Sequence, residues 1–263
     1  MPAFLHDTET FIVDAPDASG PLRIDVAMPP HFPEAGLGAS DEPLPLVIVL
    51  DGDFCFPAAA AMSRLLMLGE VRPHLVAGIG YPDGGSLARV NERRVFDFST
   101  ADTKIPLAPG QPALRTGGAP GFRAALIERV IPSLCERWPV DPRQIYLFGA
   151  SMGGWFAGDV LLRDLGRQLA GVAIFSGAFF YGERQVLNEL SALSGKDLAP
   201  GFRAFVSVGS LEEEGALAGA KMVTDASALM GGASGFLCVR RVEACRLHDQ
   251  VRRAEGHVTA SAW

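Results

Sequence analysis

The stretch from Ile145 to Gly154 constrains the fold more than any other part of the chain. An apolar run rich in β-branched and aromatic residues, Ile145-Tyr146-Leu147-Phe148, leads into Gly149-Ala150-Ser151-Met152-Gly153-Gly154. A segment of helical pattern, Met152 to Arg163, follows at once. A strand that turns into a helix within so few residues forces its serine into a strained backbone conformation. Gly149 and Gly153 are expected to omit the Cβ atoms that would collide there. The Ser151 hydroxyl would then project above a sheet edge, beside a helix N-terminus whose free N–H groups favour a developing oxyanion. A bare G-x-S-x-G arises often by accident, so the flanking strand and helix carry the reading of Ser151 as a nucleophile, with Met152 N–H as one oxyanion donor.

The rest of the chain supplies a sheet for such an elbow. Glu9–Val13 and Leu22–Met28 read as an N-terminal hairpin around Pro16, Ser19, Gly20 and Pro21. Leu46–Leu50 is apolar throughout, as expected of a strand covered on both faces of a parallel sheet. Leu75–Ile79, Gly171–Phe175, Phe202–Val208 and Phe236–Cys245 are further strands, the last mixed enough in polarity for a sheet edge. Ala58–Glu70, Phe122–Trp138 and Ala216–Leu229 read as helices, with Pro132 placed to kink the second. Pro82–Gly118, with its Pro and Gly residues, reads as a long binding loop or lid. Alternating strands and helices indicate an α/β fold with a mostly parallel central sheet, helices on both faces and an N-terminal antiparallel hairpin. No repeat or linker divides the 263 residues, and α/β domains of roughly 250 residues are common.

A serine hydroxyl needs an adjacent base. After a nucleophile elbow the order is acid, then histidine. Two histidines follow Ser151, His248 and His257, and His257, in the loop after the last strand, is the better placed. The acid is expected after the strand that ends at Val208. Glu212 lies nearest, with Glu213, Glu214, Asp225 or a dyad without any acid left open. The second oxyanion donor is expected in the turn Asp51-Gly52-Asp53-Phe54, where Gly52 would let the backbone pass close to a substrate. Arg93 and Arg94 fall in the long loop. Arg94 is a candidate substrate clamp, and a solvent-facing pair or a salt bridge to Asp97 is the structural alternative.

A net charge of −7 argues against a nucleic-acid partner. The four cysteines form no C-x-x-C pair, so no metal site is indicated and reduced thiols in a cytoplasmic protein are expected. No secretory leader is legible, and no apolar stretch reaches the roughly 18 residues of a membrane span. A small-molecule partner is expected, no cofactor is needed for this chemistry, and a homodimer is compatible with it.

These residues together resemble the esterase family of α/β-hydrolases that includes the enterochelin (siderophore) esterases. The resemblance runs through Val49-Leu50-Asp51-Gly52-Asp53, Arg94-x-x-Asp97-Phe98-Ser99, Gly117-Gly118-Ala119 and Asp141. It continues through the elbow, Gly209-x-x-Glu212 and Gly256-His257. It implies carboxylic-ester hydrolysis with Ser151 as nucleophile and His257 as base, an oxyanion contribution from Gly52 and Asp53, and a substrate-facing Arg94. Ala150 departs from the His or other polar residue usual in the family. Trp263 follows His257 by only six residues, which implies a single domain over residues 1–263 without the family's C-terminal helix. No cluster of aromatic and basic residues along the chain marks a catecholate substrate.

Overall fold

Eight strands form one sheet in the order β1-β2-β4-β3-β5-β6-β7-β8 among the described residues. The computed structural model describes residues 5–31, 42–100, 105, 113–164, 167–192, 199–209 and 237–242. The strands are β1 (Thr8–Val13), β2 (Leu22–Ala27), β3 (Leu44–Val49), β4 (Leu75–Gly80), β5 (Val140–Ala150), β6 (Gly171–Phe175), β7 (Arg203–Gly209) and β8 (Leu237–Val242). β1 and β2 pair as the antiparallel hairpin, and β2 runs antiparallel to β4. Every pairing from β4 to β8 is parallel. All six residues of β4 are buried, as a strand covered on both faces requires. Among the described residues β8 pairs with β7 alone and lies at one edge of the sheet.

Helices cover both faces. Neighbouring strand residues point to opposite sides, so Ile48 and Val49 mark the two faces. On the Val49 side, α1 (Gly52–Leu66) packs Phe56 and Ala60 among Ala27 and Val76. The Ile48 side holds the larger core, with α2 (Leu87–Phe98), α3 (Ala119–Ala125), α4 (Ile131–Arg137) and α5 (Met152–Asp164). There Phe98, Phe122 and Phe156 form an aromatic triangle with centroids 5.0–5.7 Å apart, tying α2, α3 and α5 together. Twelve of the thirteen residues of α5 are buried, so the helix behind Ser151 is held by the core along its length. α6 (Gln185–Ala192) packs against α5.

Three expectations change. α1 begins at Gly52, six residues before the expected Ala58, and carries Pro57 in its second turn. The stretch Pro82–Gly118 is not one loop: it contains α2, twelve residues capped by Ser86, whose hydroxyl accepts from Arg89 N–H. Arg93 and Arg94 are therefore helical. The kink expected at Pro132 takes the form of a π-helical turn, Leu126–Val130, joining α3 to α4. The missing N–H of Pro132 removes one α-helical bond, and the widened turn absorbs the loss. The expected helix Ala216–Leu229 lies outside the described residues.

A buried carboxylate fastens the hairpin turn to α2. Asp97 is fully buried, and its two oxygens accept from Ser19 N–H at 2.7 Å and Ser19 Oγ–H at 2.6 Å. Burial raises its pKa to about 6, against the downward pull of the Ser19 hydrogen bonds. The unfolded value is near ~4, so the folded chain binds this proton more tightly. That contribution is complete below pH ~4 and is lost as the pH rises through about 6. Urea titrations from pH 4.5 to 7.5 should therefore show Asp97→Asn gaining on the wild type as the pH rises. The expected difference is up to about 1.4 kcal/mol per pH unit within that window. A pH-independent difference would refute the assignment.

Candidate active site

Ser151 has the backbone its sequence demands. Its φ is 54°, its side chain is exposed, and it separates the end of β5 from the start of α5. Neighbouring backbone fixes the turn: Ser151 N–H donates to Phe175 C=O at 2.9 Å, and Ser151 C=O accepts from Trp155 and Ala178 N–H at 3.0 Å each. A Cβ on Gly149 would stand 2.2 Å from the Gly153 carbonyl oxygen, and one on Gly154 would stand 2.9 Å from Gly177 Cα. The close approaches thus fall at Gly149 and Gly154. At Gly153, one of the two positions expected from the sequence, a Cβ would come no nearer than 3.3 Å to anything. Met152, buried, is the first residue of α5, and first-turn N–H groups have no acceptor within their own helix.

The turn after β3 lies beside the elbow because β3 and β5 are neighbours, with Val49 opposite Phe148. Asp51 caps α1 in a left-handed conformation, φ 54°, and its carbonyl accepts from Phe54 N–H at 2.9 Å and Cys55 N–H at 2.8 Å. That uses the Phe54 N–H and leaves Gly52 and Asp53 as the first-turn donors. The reason for glycine at 52 also differs from the expected one. A Cβ there would lie 2.9 Å from the backbone of Gly78 and Ile79, so the residue permits close packing of α1 on β4. The Asp53 carboxylate, nearly buried, pairs with Arg23 at 2.9 Å and accepts from Tyr81 N–H at 3.0 Å, which anchors the turn to β2 and β4.

Arg94 reaches this turn from α2 and already holds a carboxylate. Its Nε and Nη2 donate to the two oxygens of Asp51 at 2.7 Å each, a forked pair in a nearly buried setting. Burial disfavours the Arg94 cation, but the hydrogen bonds and charge of Asp51 outweigh it and raise its pKa. Neither arginine pairs with Asp97 in the way the sequence alternative supposed. Arg93 stacks on Tyr81 at 4.4 Å and donates to Ser19 Oγ, Asp83 and the Pro21 carbonyl. The role of Asp51 was missed in the sequence, where it reads only as part of a turn. An acid placed between an apolar strand and a glycine, with a distant arginine free to reach it, was the available signal.

Glu212, Glu213, Glu214, Asp225, His248 and His257 lie outside the described residues. β7 ends at Gly209 on the same carboxyl edge as Ser151, since β5, β6 and β7 are parallel neighbours. Among the described residues no group of three or more His, Cys, Asp or Glu could hold a metal ion, and no helix is long and apolar enough to cross a membrane. Cys55 and Cys135 are free thiols whose pKa burial raises, so neither is an activated nucleophile.

Two stability measurements test this geometry. Gly149→Ala should lose at least about 2 kcal/mol in urea unfolding, because backbone must move to admit the methyl group. Asp51→Ala should lose about 2–3 kcal/mol by leaving Arg94 partly buried without its partner. Asp51→Ala combined with Arg94→Met should recover part of that loss. A double variant no better than the single would contradict the pairing.

No protein-family model matches the chain. Among curated proteins it is 30% identical over 123 residues to the ferri-bacillibactin esterase BesA of Bacillus subtilis, covering 45% of this chain and 42% of that protein. It is 27% identical over 164 residues to an apo-salmochelin esterase of Escherichia coli, covering 59% of this chain and 46% of that one. The chain thus spans less than half the length of the curated relatives it matches. Among solved structures, the BES protein of Bacillus cereus superposes with a TM-score of 0.80 at 24% identity, covering 93% of this chain and 91% of that one. The siderophore hydrolase EstA of Aspergillus nidulans gives 0.71 at 22% identity, covering 93% and 90%. The chain therefore has the fold of these α/β hydrolases, and over part of its length its sequence is similar to two siderophore esterases.

Proposed function

We propose that this protein hydrolyses a carboxylic ester through an acyl-enzyme on Ser151, with His257 as general base. The observation that carries the reading is the exposed Ser151 at φ 54° between β5 and the N-terminus of α5. Strained backbone that presents a polar side chain to solvent, backed by a helix buried along nearly its whole length, is the kind of placement that clusters at functional sites. The esterases to which the chain is similar in sequence support the same reaction class.

In this mechanism Ser151 Oγ attacks the ester carbonyl carbon while its proton passes to the His257 imidazole. The carbonyl oxygen becomes an oxyanion and receives hydrogen bonds from Met152 N–H and from Asp53 N–H, in the helix turn that begins at Gly52. Collapse of the tetrahedral intermediate expels the alcohol, which takes the proton from His257. Water, deprotonated by His257, then attacks the acyl-enzyme and releases the acid. Glu212 orients the imidazole and stabilises its charged form. Arg94 holds Asp51 with its Nε and Nη2, and in this reading its Nη1 would face the substrate. The substrate class supported by the relatives is a siderophore ester. The same machinery serves an acyltransferase when an alcohol replaces water, and a peptidase when the bond is an amide.

A fluorophosphonate probe should label Ser151 in the wild type and leave Ser151→Ala unlabelled. His257→Ala should slow both labelling and p-nitrophenyl ester turnover by at least about 10³-fold. Glu212→Gln should lower kcat without raising KM if the acid is used. A folded wild type that takes no label would make this a binding protein on a hydrolase scaffold.

A further inference from the structure

The outer side of α1 has no place in the proposed chemistry. Every exposed residue of this helix is apolar: Phe54, Pro57, Ala58, Ala61, Met62 and Leu65. They recur at spacings of three and four, so they form one face, opposite the face that buries Phe56 and Ala60 against the sheet. Beyond the helix end, Leu68 and Val71 continue the exposed apolar surface. Phe54, Met62, Leu65 and Leu68 are each 50–60% exposed.

The charges of α1 are turned away from this face. Asp53 pairs with Arg23, and Arg64 donates to the carbonyls of Met28 and Asp7. A helix that is apolar on every side is normally covered on every side. The open stripe amounts to roughly 600 Å² of apolar surface, the upper end for the largest patch on a monomer. A lipid surface is a poor match for it. Helices that lie on membranes carry free basic residues along the polar flank, whereas Arg64 is engaged and the chain has a net charge of −7.

We propose that α1 packs against α1 of a second copy of this chain, antiparallel and about a two-fold axis beside Ala61 and Met62. The stripe is complementary to itself in that register. Ala58 meets Leu65 of the partner subunit, and Phe54 meets Leu68 of the partner subunit, so small faces large along one half and large fills the ends. The alanines let the helix axes approach to about 8–10 Å. The contact is isologous and therefore closes at two copies. Two stripes together bury on the order of 1,200 Å², the lower bound of a specific interface. The pairing is independent of the ester-hydrolase reading, since none of its residues takes part in that chemistry.

Sedimentation equilibrium at micromolar concentration should give the wild type twice the mass of one chain. Met62→Lys and Met62→Glu each bring like charges together at the axis. Each should give the mass of one chain, with the far-ultraviolet circular dichroism of the wild type. Mixed, the two should form a heterodimer at least tenfold tighter than either variant forms with itself. Leu87→Lys, at an exposed leucine on α2, should leave the dimer intact. Ala61→Cys should form a disulfide between copies on mild oxidation. Leu68→Cys should not, because antiparallel pairing holds its two copies about 20 Å apart along the helix. A wild type that stays monomeric, a dimer that survives both Met62 variants, or equal cross-linking at 61 and 68 would overturn the pairing. So would a monomer that floats with phosphatidylcholine vesicles, which gives the stripe to lipid. A monomer whose Ala61→Cys thiol resists maleimide would overturn it too, by showing the stripe covered by the chain's own residues.

Discussion

The backbone of Gly149 and the carbonyl of Gly153 approach so closely that no side chain fits between them, and much of the molecule follows from that approach. It turns β5 into α5 within one residue and puts Ser151 at φ 54°. It also aims the first N–H groups of α5 at the space above the sheet. A reversal this tight survives only if the helix beyond it cannot swing away, and the burial of nearly all of α5 supplies that restraint. The hydrogen bond from Ser151 N–H to Phe175 C=O then ties the elbow to β6, the strand next to it.

A second helix N-terminus converges on the same edge. α1 starts straight after β3, packs on β4 at the glycine-only contact of Gly52, and is fixed by Asp53 to Arg23 and Tyr81. Adjacent parallel strands place the two helix starts side by side, so two sets of unused N–H groups face one region. α2 then lies across this arrangement with two unlike faces. Its inner face supplies Arg94 to Asp51 and Phe98 to the aromatic triangle, and its other face supplies Arg93 and Asp97 to Ser19.

The parts of this arrangement that were legible in the sequence are those encoded by short-range pattern. The β5–Ser151–α5 unit, the fully buried β4 and the hairpin each carry their signal within a few residues. Helices α1 and α2 were misjudged because Pro57 and the Pro and Gly residues around Leu87–Phe98 mask a helical period that packing enforces. Ser86, with an uninterrupted twelve residues behind it, was the local clue to α2. The Asp51–Arg94 fork and the contacts of Arg93 and Asp97 with Ser19 join residues that only the folded chain brings together. Sequence spacing carries no record of such meetings. The histidine and acid of the proposed mechanism were read from chain order, and their positions lie outside the described residues.

The fork between Arg94 and Asp51 bears on how a reaction here would end. Ester cleavage produces a free acid, and a bare cation beside the nucleophile would hold that acid as a product inhibitor. With the guanidinium already matched by an internal carboxylate, the centre presents a neutral pair. In the proposed hydrolysis the departing acid would have no strong counter-ion to leave behind, and the built-in partner would favour turnover over retention.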